Sequence, residues 1–153
     1  MPSLISQLTP YSCALACLES FLADLGHNTT QAEMLANHRD ICWNPTNVGT
    51  FGAIDSFRLK ILASRYLCQP EDFSSSDAAL IGQQLAVPRE TLFACCHRFR
   101  GNDNSNHCIR LLRLEADFLY YSAPGFPYGV QDKVPLTDFF THWQPTLLKL
   151  KAP

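Results

Sequence analysis

Apolar residues recur with a helical step near the start of the chain. Leu15, Leu18, Leu22 and Leu25 stand at i, i+3, i+7 and i+10, with Cys17 and Phe21 alongside. This spacing predicts a helix over residues 12–25. Gly26 is placed to stop it, because glycine enters the left-handed helix-closing conformation at little steric cost. Pro10 lies just ahead, where a missing N–H does no harm. Thr30 followed by Glu33 is a capping-box pattern and opens a short helix through about His38. Residues 50–66 predict a third helix, with Ile54, Phe57, Ile61 and Leu62 on one side, and Ser76 is placed to cap a fourth over about 77–86.

Beyond residue 90 the pattern changes. Residues 91–99 (TLFACCHRF) and 107–114 (HCIRLLRL) predict two strands. Glu115-Ala116-Asp117 turns the chain, and 118–122 (FLYYS) returns it as a hairpin. Residues 136–143 (LTDFFTHW) predict a short helix, and 146–151 a final strand. Helices first and strands second describe an α+β fold. The helical part covers about 1–86 and the sheet part about 87–153. Ser74-Ser75-Ser76 and residues 101–106 are short polar loops, not linkers, so the 153 residues are expected to form one domain.

Composition narrows the function. Apolar residues make up 46% and charged residues 17%, which excludes global disorder. The formal charge is −2 and no basic run of five occurs, so a nucleic-acid partner is not expected. Apolar runs are too short for membrane insertion. The first residues lack the charge and apolar core of a signal peptide, so a cytoplasmic location is expected. The seven cysteines are an odd number and cannot all pair within one chain, and reduced thiols are the expectation. Their spacing contains no CxxC pair, which argues against a structural zinc site. No metal and no cofactor is expected.

Three residues carry candidate chemistry. Cys13 falls in the first turn of the first helix, where partial positive charge and unpaired N–H groups favour a thiolate. Thiol pKa values at such positions fall to roughly 3.5–7.5. His107 follows a polar loop and opens an apolar strand, as a base brought from a distant strand to a cysteine nucleophile would. His97 is its main competitor, while His27, His38 and His142 have capping or surface explanations. Gln7, six residues before Cys13, has a side-chain N–H that can meet a developing oxyanion together with the Cys13 backbone N–H. Taken singly, each has a plain alternative: a buried small residue, a surface histidine, a solvated glutamine.

The run Gln7-Leu8-Thr9-Pro10-Tyr11-Ser12-Cys13-Ala14-Leu15-Ala16-Cys17-Leu18 resembles the active-site segment of the papain-like bacteriocin-processing peptidases, which cut double-glycine leader peptides. Gly26 closes the helix as in that family, Thr30–His38 resembles its next helix, and Ser105-Asn106-His107 its histidine segment. Residues 136–143 resemble its closing segment. The similarity runs in order over most of the chain and is weakest between about 68 and 90. It implies a papain-like fold, N-terminal helices packed on a C-terminal antiparallel sheet, with Cys13 as nucleophile, His107 as base and Gln7 at the oxyanion. One departure stands out. The family places an Asp before a Pro after the histidine strand, and here Ala123 precedes Pro124. Ser122, Asp117 and Asp132 are the candidate substitutes.

The expected function is therefore that of a cysteine hydrolase acting on a peptide or amide bond of a peptide or protein substrate. A glutamine deamidase or acyltransferase would use the same site. A non-catalytic peptide-binding module on the same fold is the alternative, supported by the missing acid.

Overall fold

The computed structural model describes residues 12–42, 55–102, 106–125 and 129–153. The leucine periodicity produces helix α1 (Cys13–Asp24), which buries Leu15, Cys17, Leu18, Phe21 and Leu22. Its end is a Schellman closure. Gly26, at φ +87°, donates to Ala23 O, and His27 N–H reaches Leu22 O at 2.9 Å. Helix α2 (Gln31–Asn37) starts as expected, with the Thr30 hydroxyl accepting from Glu33 N–H. A single turn, α3 (Arg39–Cys42), follows.

Helix α4 (Ser56–Arg65) is capped by Asp55, which accepts from Arg58 N–H at 2.8 Å. Ile54 lies outside the described residues. The inward face differs from the expected one. Leu59, Leu62 and Ala63 are buried, at i, i+3 and i+4, whereas Phe57 is 66% exposed. Helix α5 (Ala78–Leu85) is capped by Asp77, not Ser76, since the Asp77 carboxylate accepts from Leu80 N–H.

Among the described residues, six strands form one antiparallel sheet in the order β1-β6-β2-β3-β4-β5. They are β1 (Gln69–Phe73), β2 (Glu90–Cys96), β3 (His107–Glu115), β4 (Phe118–Ala123), β5 (Val130–Pro135) and β6 (Pro145–Lys151). Helix α6 (Leu136–His142) links the last two. The two-residue β3–β4 turn places Ala116 and Asp117 at positive φ, the conformation that matches strand twist. Strand β2 ends at Cys96, three residues short of the expected end. There the His97 and Arg98 N–H groups turn to Gln144 O and Trp143 O, and Phe99–Gly101 forms a short 3-10 turn.

Strands β1 and β5 were not legible in the sequence. Both are edge strands, mostly exposed and polar, and held by backbone pairing to β6 and β4. Pro70 is tolerated because an edge strand needs ladder bonds on one side only.

The sheet is covered on both faces, so its inner strands read as continuous apolar runs. On one face Phe93, Cys108, Leu148 and Leu150 pack with Leu15, Leu18, Phe21, Leu59 and Leu62 from α1 and α4. On the other, Leu92, Ile109, Leu111, Leu119, Tyr121 and Leu147 pack with Phe139 and Trp143. Each such buried side chain contributes about 1.5–3 kcal/mol relative to exposure. Helices with a six-stranded antiparallel sheet give the α+β architecture expected.

Candidate active site

Cys13 is the first residue of α1, and its sulfur is turned toward the start of β3. The Cys108 N–H donates to Cys13 Sγ at 3.4 Å. The backbone N–H groups of Ala14 and of Cys13 itself add a smaller stabilisation of a thiolate. The helix start is held from behind. Ser12 Oγ donates to Gln31 Oε1 at 2.9 Å, and Gln31 N–H donates to Glu19 Oε1 at 2.9 Å.

The expected low thiol pKa is not what this site produces. Burial pushes the Cys13 thiol up, the Cys108 amide works against it, and the nearby Cys95 adds to the rise. Desolvation of a charged sulfur outweighs the N–H groups of the helix start. The resting side chain is a neutral thiol, and a thiolate would have to form on demand.

His107 is the residue before Cys108, at the first position of β3. Strand alternation sends Cys108 toward α1 and His107 to the opposite face, against Phe99 with ring centroids 4.7 Å apart. Phe99 in turn packs edge-on against Tyr121 and Trp143, so the imidazole is set in an aromatic wall. The Pro124 carbonyl lies near the ring and favours its protonated form. Burial lowers the imidazole pKa, the Pro124 carbonyl partly offsets this, and the Arg100 guanidinium lowers it further. The ring is thus kept neutral, with its second nitrogen available as an acceptor. Among the described contacts, Sγ meets the Cys108 amide while the imidazole meets Phe99 and Pro124. A direct bond between Sγ and the imidazole is not among them. Such catalytic bonds are often long in the absence of a substrate.

The competing histidines lie elsewhere. His97 is exposed and bonds to Thr146 Oγ1 at 3.2 Å. His38 stands beside Arg65 and Tyr66. His142 ends α6, and His27 follows the α1 closure. Gln7 lies outside the described residues.

Each candidate for the missing acid is displaced. Asp117 sits in the β3–β4 turn, at the far end of the hairpin from His107. Ser122 pairs with Arg110 and shares its face, the one opposite to His107. Asp132 lies on the correct face, opposite Tyr121, but on β5, two strands from β3, and its carboxylate accepts from Lys133 N–H. Ala123 itself is buried on the His107 face. The Pro124 carbonyl lies near the imidazole and favours its cation, without the negative charge of a carboxylate. The only sign of this in the sequence is the proline itself.

Two further groups escaped the sequence reading. Arg110 on β3 binds Asp24 and Ser20 of α1 and Thr91 of β2. Cys17 donates to Cys108 O at 3.4 Å, and Cys95 stands opposite Cys108 in the ladder. All seven cysteines are free. Among the described residues, no group of three or more His, Cys, Asp or Glu side chains is arranged to hold a metal ion, and no helix is long and apolar enough to cross a membrane. An open cleft of about 560 Å³ lies between the start of α4, Ser74–Ser76 and the beginning of β6, and neither Cys13 nor His107 lines it.

No family model and no curated protein matches the sequence. Solved structures match its fold. The peptidase domain of Streptococcus ComA, a bi-functional ABC transporter of a quorum-sensing pathway, superimposes with a TM-score of 0.70 over the full length of both chains at 12% identity. A double-glycine motif protease from an AMS/PCAT transporter, solved with its leader peptide, gives 0.66 at 16% identity, covering all of this chain and 93% of that one. The fold is the papain-like fold of these peptidase domains, as the resemblance in the sequence implied.

Proposed function

We propose that the chain is a papain-like cysteine hydrolase that attacks a peptide or amide carbonyl. The observation that carries this reading is the meeting of Cys13 Sγ, at the start of α1, with the Cys108 amide, one residue from His107. The fold shared with two peptidase domains supports it, and one of those domains was solved with a leader peptide bound.

The resting pair is a thiol and a neutral imidazole. The step requires the His107 imidazole, which rests on the opposite face of β3, to meet Sγ around the first residue of the strand; its free nitrogen then takes the Cys13 proton as sulfur attacks the carbonyl carbon. The oxyanion forms beside the Cys13 backbone N–H, with Gln7 as the proposed second donor. The imidazolium returns the proton to the leaving amine, and water then hydrolyses the thioester with His107 again as base. Because Pro124 offers a neutral carbonyl, the imidazolium gains less support than a carboxylate would give it, which predicts slow turnover. Deamidation of a glutamine and acyl transfer to an amine use the same steps with a different leaving group or acceptor. The missing acid at Ala123 favours the second reading, a peptide-binding module in which an extended segment adds by main-chain pairing.

Iodoacetamide labelling mapped by mass spectrometry across pH separates the two. For a hydrolase, Cys13 labels ahead of the other cysteines in a step that follows deprotonation of His107, and His107→Ala abolishes that step. Labelling of Cys13 that is no faster than the rest, or identical in His107→Ala, removes the hydrolase reading and leaves the binding module.

A further inference from the structure

Cys95 and Cys108 stand directly opposite each other in the β2–β3 ladder. Residues in register share a face. Both pack on the α1 side of the sheet, among Cys13, Cys17 and Phe93. Ladder geometry sets their spacing. The Cys108 N–H is aimed at Cys13 Sγ and its carbonyl accepts from the Cys17 thiol, each at 3.4 Å. A strand residue points both backbone groups to the same side, so both leave β2. The Cys95–Cys108 pair is therefore the narrow, non-hydrogen-bonded kind, with Cα atoms about 4.5 Å apart. That falls inside the span of roughly 4.4–6.8 Å that a disulfide bridges. The two thiols are close enough for each to shift the other's pKa. Cys95 is half-buried and Cys108 fully so, which leaves Cys95 as the sulfur a reagent meets first.

The geometry points to Cys95 and Cys108 as a dithiol–disulfide site that exchanges with a small-molecule disulfide of the glutathione type. This goes beyond the hydrolase reading and does not rest on it. The Cys95 thiol loses its proton, and its sulfur attacks one sulfur of the small disulfide, forming a mixed disulfide and expelling one small thiolate. The Cys108 thiol then loses its proton and attacks the Cys95 sulfur. The Cys95–Cys108 bond forms and the second small thiolate leaves. Two protein thiols are oxidised by two electrons, and the small disulfide is reduced to two thiols. Cys17 also touches Cys108, but it is fully buried within α1 and meets no reagent from solvent. Contact with a neighbouring thiol (Cys108 for Cys95, Cys17 for Cys108), together with burial, keeps both thiols of the site protonated, so exchange is slow in either direction. Closure involves the residue whose amide holds the Cys13 sulfur, which places the oxidised pair beside the candidate nucleophile.

The test uses the whole chain in glutathione buffers of increasing oxidised fraction. Samples are quenched in acid, denatured and blocked with one alkylating reagent, then reduced and labelled with a second. Cys95 and Cys108 are expected to take the second label together, while the other five of the seven cysteines keep the first. Cys95→Ser is expected to return Cys108 to the first label. Cys108→Ser, which cannot close the bond, is expected to hold glutathione on Cys95, read directly as added mass. The proposal is overturned if neither cysteine takes the second label in oxidised glutathione alone. It is equally overturned if Cys108 keeps the second label in Cys95→Ser, which would make Cys13 or Cys17 its partner. No substrate enters the assay, so loss of the hydrolase reading would leave this result standing.

Discussion

Arg110 reaches from the middle of β3 to the carboxylate of Asp24 at the end of α1, and this ion pair fixes how the helix lies on the sheet. The guanidinium also takes Ser20 Oγ and Thr91 Oγ1, each at 3.0 Å, and lies over the Phe21 ring. Its side chain is 11% exposed and that of Asp24 is 22% exposed. Removing one partner strands a largely buried charge, whereas removing both does not. Asp24→Ala is expected to cost about 3 kcal/mol, near the lower end for buried pairs because Asp24 keeps some water contact. Chemical denaturation measures it. Asp24→Ala combined with Arg110→Met should recover part of the loss. A cost below ~1 kcal/mol, the range of surface pairs, would refute the anchoring role.

Ala123 is buried on the same face of the sheet as His107, at the position where the resemblance to the peptidase family implies a carboxylate. Ala123→Asp is expected to raise the imidazole pKa by about one unit or more, because a nearby negative charge favours the imidazolium. The same substitution places a polar group in an apolar site and should destabilise the protein by roughly 1–3 kcal/mol. An NMR titration of the His107 ring reads the first effect, and thermal unfolding the second. An unchanged titration would show that the position does not reach the ring.

Phe99 is the face against which the His107 imidazole packs. Phe99→Ala is expected to cost about 3 kcal/mol, the low end for an aromatic truncation, since the ring is only partly buried. It should also open His107 to water and move its pKa back up toward 6.5, the ordinary value. A stability loss with no movement of the His107 titration would mean that Phe99 supports the core but not the imidazole.

Stability should decline on both sides of a plateau. The His107 pKa is lower in the folded chain than its ordinary 6.5, so the unfolded chain binds more protons as pH falls. Its contribution is present above about 6.5 and is lost as pH falls toward the folded value. The cysteine shifts have the opposite sense. Burial raises Cys13, Cys17 and Cys96, raises Cys42 to about 11, and acts with thiol–thiol contact at Cys95 and Cys108. Their contribution is present below the ordinary value of 9.0 and is lost as pH rises above it. Denaturation midpoints across pH should fall steeply above 9, and Cys42→Ala should soften that fall. A flat alkaline limb would contradict these shifts.

Local pattern was enough for the elements that bury a face. Leu15, Leu18 and Leu22 placed α1, Gly26 ended it, and Thr30 with Glu33 opened α2, because periodicity and capping are properties of neighbouring residues. The apolar runs of β2, β3 and β6 were legible for the same reason. Their continuity reflects a sheet covered on both faces. The order of the Gln7–Leu18 run, the histidine segment at Ser105–His107 and the closing segment 136–143 was also readable along the chain, and it pointed to the papain-like fold.

Tertiary structure decided the rest. Gln69–Phe73 and Val130–Pro135 became strands only because β6 and β4 offered unpaired backbone edges, and edge pairing leaves little trace in side chains. The pKa of Cys13 reversed direction because desolvation depends on what packs around the sulfur, and the helix start alone does not set it. The Pro124 carbonyl came to lie near His107 through the path of the chain after β4, and a main-chain group has no residue type by which a sequence reveals it. Cys95 and Cys108 were brought face to face by ladder register, which couples residues distant along the chain through hydrogen bonds that no local pattern encodes.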